Sequence, residues 1–128
     1  MYSIYNQSQQ DYLECILMLS KENALVHRID VAKRMEVSQA AVNKAVRGLA
    51  EKGYVYEDGK HLYLTDEGKL CAEQVYEKHC ILCDFLQKVG VSPATAEADA
   101  CHIEHVISEE TYESIKIFLG KNTVQKTL

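Results

Sequence analysis

The chain predicts a mainly α-helical protein: an N-terminal winged helix-turn-helix with a small β-hairpin wing, followed by a helical dimerisation domain. Three observations carry this expectation. Apolar residues recur at helical spacing over most of the 128 residues. Two helical patterns meet at a short break around Glu36-Val-Ser38, the signature of a helix-turn-helix. The stretch that alternates instead, Tyr54 to Leu64, folds about Asp58-Gly59. A single proline, six glycines, no repeat and no low-complexity tract leave room for one compact module and a small second one.

The elements follow in order. From about Gln9 to Ser20, Tyr12, Leu13, Ile16, Leu17 and Leu19 form a stripe wide enough to bury, closed by Ser20-Lys-Glu-Asn23. Val26 to Asp30 reads as a short extended piece leading into a helix with Asp30 as N-cap, Val31, Ala32 and Met35 inward, and its end near Glu36. Ser38 caps the next helix, Gln39 to Lys52, with Ala41, Val42, Ala45, Val46 and Leu49 inward and Gly53 at the stop. Asp58-Gly59 suits a type I′ hairpin, whose two central residues need positive φ. Thr65 caps a long helix, Asp66 to about Val89, that ends at Gly90. Ser92-Pro93 opens another, to about Ile107, with Ser at the N-cap and Pro at N1. Ser108 caps a last helix, Glu109 to Leu119, stopped by Gly120. The tail Lys121 to Leu128 is polar and expected to fray.

Charge divides the chain. The net charge is −5 and the pI is near 5.5, which excludes a surface built throughout for phosphate. Between Arg28 and Lys52, however, Arg28, Lys33, Arg34, Lys44, Arg47 and Lys52 outweigh Asp30, Glu36 and Glu51. In a winged helix the second helix of the pair enters the major groove, so Ser38, Gln39, Asn43, Lys44 and Arg47, with Lys60 or His61 on the wing, are the candidate DNA contacts. The last three helices are too small for a large core of their own, so their apolar surface is expected to pack on a second copy, and a two-fold dimer suits a palindromic operator. No apolar run approaches a membrane span and Met1-Tyr-Ser-Ile-Tyr-Asn-Gln7 lacks the regions of a signal peptide, which predicts a cytoplasmic protein. The five cysteines are odd in number and lie in helical patterns, so most are expected to be small buried hydrophobes rather than disulfide partners.

The same residues carry metal chemistry. In Asp99-Ala-Cys-His-Ile-Glu-His105, Cys101, Glu104 and His105 are spaced i, i+3, i+4 and are expected on one helix face, with His102 off it and exposed. Asp11 and Glu14 offer carboxylates from the first helix and His79 an imidazole from the long one. Together they make a mixed oxygen, nitrogen and sulfur donor set for one divalent transition metal. Singly, His79 reads as a hydrogen-bonded boundary residue, and Asp11 with Glu14 as charges that favour a helix start. Cys80-Ile-Leu-Cys83 has redox spacing but sits mid-helix, where no helix start stabilises a thiolate, and is expected to be structural. No nucleophile and base pair stands apart from these ligands and there is no glycine-rich phosphate loop, so an enzyme is not expected.

Asp11-Tyr-Leu-Glu14, the winged helix ending Tyr63-Leu-Thr-Asp-Glu-Gly-Lys69, Tyr76-Glu-Lys-His79 and Cys101-His-Ile-Glu-His-Val-Ile-Ser108 resemble, in order and spacing, the diphtheria-toxin-repressor family of metal-dependent transcriptional regulators. The resemblance runs from about Gln9 to Phe118 and is to the short form without the SH3-like domain. It implies a DNA-binding domain over residues 1–70, a metal-binding and dimerisation domain over 71–128, and a metal site where the two meet. Asp11 and Glu14 match the manganese-responsive branch, whereas Cys101 matches the iron branch; His79, Glu104 and His105 are shared. An ancillary ion of the iron branch would fall at His79, Cys83 and Glu97, although Cys83 and Glu97 depart from its usual residues. Hard carboxylates suit Mn²⁺ or Fe²⁺ and the thiolate draws the preference toward Fe²⁺, with Zn²⁺ or Co²⁺ able to substitute in vitro. The resemblance implies a repressor of metal-uptake genes. The alternative is a metal-independent winged-helix regulator that senses oxidation through Cys80, Cys83 or Cys101.

Overall fold

The computed structural model describes residues 7–120, with side chains from Ser8 onward; the opening residues and the tail from Lys121 to Leu128 lie outside the described residues. The order is α1 (Gln7–Glu22), α2 (Arg28–Met35), α3 (Gln39–Glu51), β1 (Val55–Asp58), β2 (His61–Leu64), α4 (Asp66–Lys88), α5 (Pro93–Ile103) and α6 (Glu109–Phe118). The described residues fall into two compact units, one up to Val75 and one from Tyr76. No described helix is long and apolar enough to cross a membrane.

The first unit is a winged helix. Its core joins Leu13, Ile16 and Leu17 of α1, Val31 of α2, Val42 and Leu49 of α3 and Leu62 of β2, each almost fully buried. α2 starts earlier than the sequence suggests. His27, not Asp30, is the N-cap, and Asp30 at N3 accepts a hydrogen bond from the His27 backbone N–H at 2.8 Å. The acid therefore closes a capping box from inside the helix. Between α2 and α3, Glu36 takes the left-handed conformation at φ 57°. Ser38 then caps α3 by accepting from the Ala41 N–H at 3.1 Å.

The wing pairs Val55 with Leu64 and Asp58 with His61, leaving Gly59 and Lys60 as the loop. Of these only Gly59 has positive φ, 65°. The type I′ turn expected about Asp58-Gly59 is therefore not formed: the central pair is shifted by one residue, and a positive φ at its first position alone is what a II′ turn requires. The Leu62 N–H also donates to the Val26 carbonyl at 2.8 Å, which ties the segment before α2 to the wing.

After the wing the chain turns sharply into α4. Thr65 donates its N–H to the Tyr54 carbonyl at 3.0 Å and its hydroxyl to the Gly53 carbonyl at 2.7 Å, while its Oγ1 accepts from the Gly68 N–H at 3.0 Å. One residue thus caps α4 and fastens it to the end of α3. Gly68 lies so close to Tyr54 that an added Cβ would stand 1.9 Å from the Tyr54 carbonyl oxygen.

In the second unit, the end of α4 packs with α5 and α6. Ala96 and Ala100, one turn apart on α5, are fully buried. The rings of Phe85 and Phe118 meet edge-on with centroids 6.0 Å apart, and Lys78 and Lys116 sit over the Tyr112 ring. α5 stops at Ile103, short of the expected Ile107. From there the His105 and Val106 N–H groups bond to the carbonyls of His102 and Ile103, three residues back. The α-helix tightens into a 3₁₀-like turn, a common way to satisfy terminal carbonyls. Cys101 belongs to the helix proper, Glu104 is its C-cap and still right-handed helical in conformation, and His105 lies in the turn that follows.

The close approach at Gly68 sets a test. Gly68→Ala should cost the first unit about 1–3 kcal/mol, because the contact is with backbone that cannot move aside. Gly48→Ala, whose Cβ would meet only the Gln9 side chain at 3.3 Å, should be neutral or gain up to about 1 kcal/mol from helix propensity. Chemical denaturation of the two variants measures both; equal stabilities would contradict the packing at Tyr54.

Candidate metal centre and nucleic-acid interface

On the first unit the outer side of α3 carries the expected polar residues. Ser38, Gln39, Lys44 and Arg47 are exposed, Asn43 is half-buried, and Lys60 is exposed at the wing tip. Among the described residues Lys44, Arg47 and Lys60 have no ion-pair partner, whereas the other basic side chains of this region include two that are neutralised. Arg34 pairs with Glu22 at 2.8 Å, and Arg28 grips Glu57 with both Nε and Nη2, at 2.7 and 2.6 Å. The Arg28 fork holds the Glu57 carboxyl below the usual glutamate range, chiefly through those hydrogen bonds.

Two open grooves flank α3. One, about 530 Å³, runs between α3 and α1 and includes Gln9, Lys44, Arg47 and Gly48. The other, about 440 Å³, runs between α3 and the wing and includes Arg28, Asn43, Arg47, Tyr56 and Glu57. Arg47 borders both, on the ridge between them. Ser38 does double duty, because its oxygen caps α3 while its hydroxyl proton stays available to a phosphate. His61 packs its ring edge-on against His27 at 4.9 Å, so of the two wing candidates Lys60 is the one left facing solvent.

On the second unit the structure assembles a charged group around His79, which is only 7 % exposed. Its Nδ1 lies 2.8 Å from Glu104 Oε1 and its Nε2 lies 2.8 Å from Glu97 Oε2. The other oxygen of Glu104, a residue 2 % exposed, lies 3.3 Å from His105 Nε2. Cys101 Sγ approaches His79 Nδ1 at 3.9 Å. Cys83 joins at the margin, 3.8 Å from Glu97 Oε1, and accepts from Gln87 at 3.4 Å. A neutral imidazole carries one N–H, so both carboxylates can be hydrogen-bonded at once only by a doubly protonated ring. The buried Glu104 and the largely exposed Glu97 thus face one imidazole, and a buried charge such as that of Glu104 is compensated by pairing or by a metal.

The donor set also has the right dimensions. Ligand atoms of His79, Glu97 and Cys101 all lie within 4.8 Å of one another. Donors that share a transition ion at roughly 2.0–2.3 Å stand about 3–4.6 Å apart, so small side-chain adjustments would close the shell. Whichever ring nitrogen binds an ion, the carboxylate on the other fixes the tautomer and ring orientation.

The expected site residues belong to both units. His79, Cys101, Glu104 and His105 come together in the second unit, and Glu97 is drawn in with them more closely than Cys83. Asp11 and Glu14 stand one turn apart on α1 of the first unit, both partly buried. The expectation that most cysteines are buried holds for Cys15 and Cys71 but not for Cys80 and Cys101, which are exposed. Cys101, although exposed, still sets its Sγ beside His79. His102 is exposed as expected. Sequence reasoning did not find the Arg28 to Glu57 clamp, since its partners lie 29 residues apart and neither belongs to a motif.

Two family models match this chain. Residues 5–62 match the iron dependent repressor N-terminal DNA binding domain, and residues 65–126 match the iron dependent repressor metal binding and dimerisation domain. The transcriptional regulator MntR of Escherichia coli O6:H1 is 37 % identical over 113 residues, covering 88 % of this chain and 73 % of MntR. An uncharacterized HTH-type transcriptional regulator of Methanocaldococcus jannaschii is 35 % identical over 119 residues, 91 % of this chain and 95 % of that protein. A manganese-dependent transcriptional repressor solved in complex with manganese superposes with a TM-score of 0.79 at 30 % identity, over 89 % of this chain but only 53 % of the repressor chain.

Two outcomes follow from the local electrostatics. Burial pushes the Cys15 thiol up to about 11, with Glu14 and Glu22 adding to the rise and Arg34 opposing it; burial raises Cys71 as well. A raised thiol stays neutral in the folded state, so its contribution to stability is complete below the ordinary thiol range and disappears as pH climbs through about 11. Iodoacetamide at mildly alkaline pH should therefore label Cys80 and Cys101 in the native protein, and Cys15 and Cys71 only after denaturation, as peptide mass mapping would read. Glu57 has the opposite sign. Its lowered carboxyl stabilises the fold above the ordinary glutamate range and stops doing so as pH falls through its folded value. The stability difference between the native chain and Glu57→Gln should shrink on acidification; a pH-independent difference would contradict the clamp.

Proposed function

Because the chain belongs to the iron-dependent repressor family, we propose that it is a metal-dependent DNA-binding transcriptional regulator, a cytoplasmic homodimer that represses metal-uptake genes when Fe²⁺ or Mn²⁺ is abundant. The observation that carries this reading is the buried His79 bracketed by Glu97 and Glu104, with Cys101 beside it, in a chain that also folds a winged helix. Asp11, Glu14, His79, Cys101, Glu104 and His105 are the proposed ligands, with Glu97 and Cys83 ancillary. A bound divalent ion supplies positive charge to this acidic group. Carboxylates favour a hard ion and the Cys101 thiolate a softer one, so Fe²⁺ answers the mixed set best, with Mn²⁺ next. Zn²⁺ or Co²⁺ would serve in vitro.

The proposed ligands come from both parts of the sequence, the DNA-binding part expected over 1–70 and the metal-binding and dimerisation part over 71–128. Metal occupancy and ordering of the DNA-binding part are then linked equilibria, a coupling typically worth about 1–3 kcal/mol. Ser38, Gln39, Asn43, Lys44, Arg47 and Lys60 would contact each half of a palindromic operator. Exposed Val89, Val106, Ile117 and Phe118 support a second copy as the partner of the helical part. The reading contains no catalytic role.

Anaerobic titration of Fe²⁺, Mn²⁺ and Zn²⁺ into apo-protein, with binding to the chain's own promoter DNA followed in parallel, tests this. One metal should switch DNA binding on and should protect Cys101, but not Cys80, from alkylation. Asp11→Ala and His79→Ala should each still dimerise yet lose at least roughly ten-fold of the metal-dependent gain in DNA affinity. Wild-type behaviour in both variants would sink the proposal, as would DNA affinity that ignores every metal but responds to peroxide.

A further inference from the structure

Asn43 and Arg47 are four residues apart on α3 and so lie on one stripe of the helix, bordering the groove toward the wing. The Asn43 Oδ1 accepts from Arg28 Nη1 at 2.8 Å. A guanidinium has donors only, so the amide oxygen must face Arg28 and the amide nitrogen must face away from it. Arg28 itself cannot turn freely, because its other two nitrogens are forked onto Glu57. Glu57 is held in turn by its place on β1, paired across the hairpin with Leu62. The wing thus fixes a carboxylate, the carboxylate fixes a guanidinium, and the guanidinium fixes which way the amide points.

We infer that Arg28 is a positioning residue for base reading, and that through it Asn43 presents only its amide donors to the major groove and reads an acceptor on a base edge. This rests on the DNA-binding role proposed above and adds the chemistry that α3 selects. Guanine offers two major-groove acceptors, N7 and O6, and thymine offers O4. Adenine is paired by asparagine through both amide atoms, the oxygen accepting from its N6 amino group, and here that oxygen is engaged by Arg28. Cytosine presents the N4 amino donor against another donor. Guanine, with two acceptors, is therefore favoured opposite Asn43 and thymine follows through O4; adenine keeps N7 but sets its N6 amino donor against the amide donors, and cytosine is rejected.

The substitution Asn43→Asp keeps an acceptor for Arg28 and replaces the outward donor by a carboxylate oxygen. Arg28→Lys keeps the charge but cannot fork onto Glu57 and reach Asn43 together. Selection from a randomised duplex pool by the full chain loaded with Mn²⁺ or Fe²⁺ reads the consequence. The wild-type protein should enrich guanine or thymine at one position of each half-site. Asn43→Asp should move that position alone toward cytosine, with about a ten-fold loss on the wild-type motif, and Arg28→Lys should admit adenine there. Thermal unfolding at the wild-type temperature certifies the Asn43→Asp fold, so the test survives a poorly folding Arg28 variant. A wild-type motif that Asn43→Asp leaves unchanged, or one with adenine at the Asn43-dependent position, overturns this inference alone. No enriched motif from the metal-loaded wild-type chain overturns it together with the DNA-binding function.

Discussion

A carboxylate that is 2 % exposed needs compensation, and Glu104 is the constraint around which the second unit is organised. Burial of an unpaired ion costs several kcal/mol, so the chain surrounds it with imidazoles: His79 on one oxygen and His105 on the other. His79 then meets a second carboxylate, Glu97, on its remaining nitrogen, and the local balance tips back toward negative charge. A cation among the oxygens of this group would compensate that charge, and because ligands must be deprotonated to bind, metal binding at any site of this kind depends on acidity.

The backbone cooperates. Glu104 is the C-cap of α5, its carboxylate meets His79, and the chain tightens only after it, at His105 and Val106. A helix end is where a polar side chain can be aimed without disturbing the packing of its own element, here the seam at Ala96 and Ala100.

An acidic protein that binds a polyanion must spend its few cations carefully, and the winged helix does so by pairing some and leaving others open. Arg28 and Arg34 are neutralised by Glu57 and Glu22 and serve architecture. Lys44, Arg47 and Lys60 remain unpaired among the described residues and face outward. The net charge of −5 therefore says little about this face, since screening confines each charge to its neighbourhood.

Much of this was legible in the sequence. The helical stripe of α1, the Ser38, Ser92 and Ser108 caps and the hairpin are local features, set by periodicity and by hydrogen bonds that span three or four residues. Errors arose where local signals compete. Asp30 could cap from outside or from N3, and the packing of Val31 and Ala32 selected the second; Asp58-Gly59 marked the turn but not its register, which the pairing of Asp58 with His61 decided. The ligand types on separate helices were also visible by residue chemistry. Which carboxylate meets which histidine was not, nor was the clamp from Arg28 to Glu57 and Asn43. Those contacts join residues that lie 15 to 29 positions apart, and their partners are chosen by where the packed core sets each helix, information that no local pattern of side chains contains.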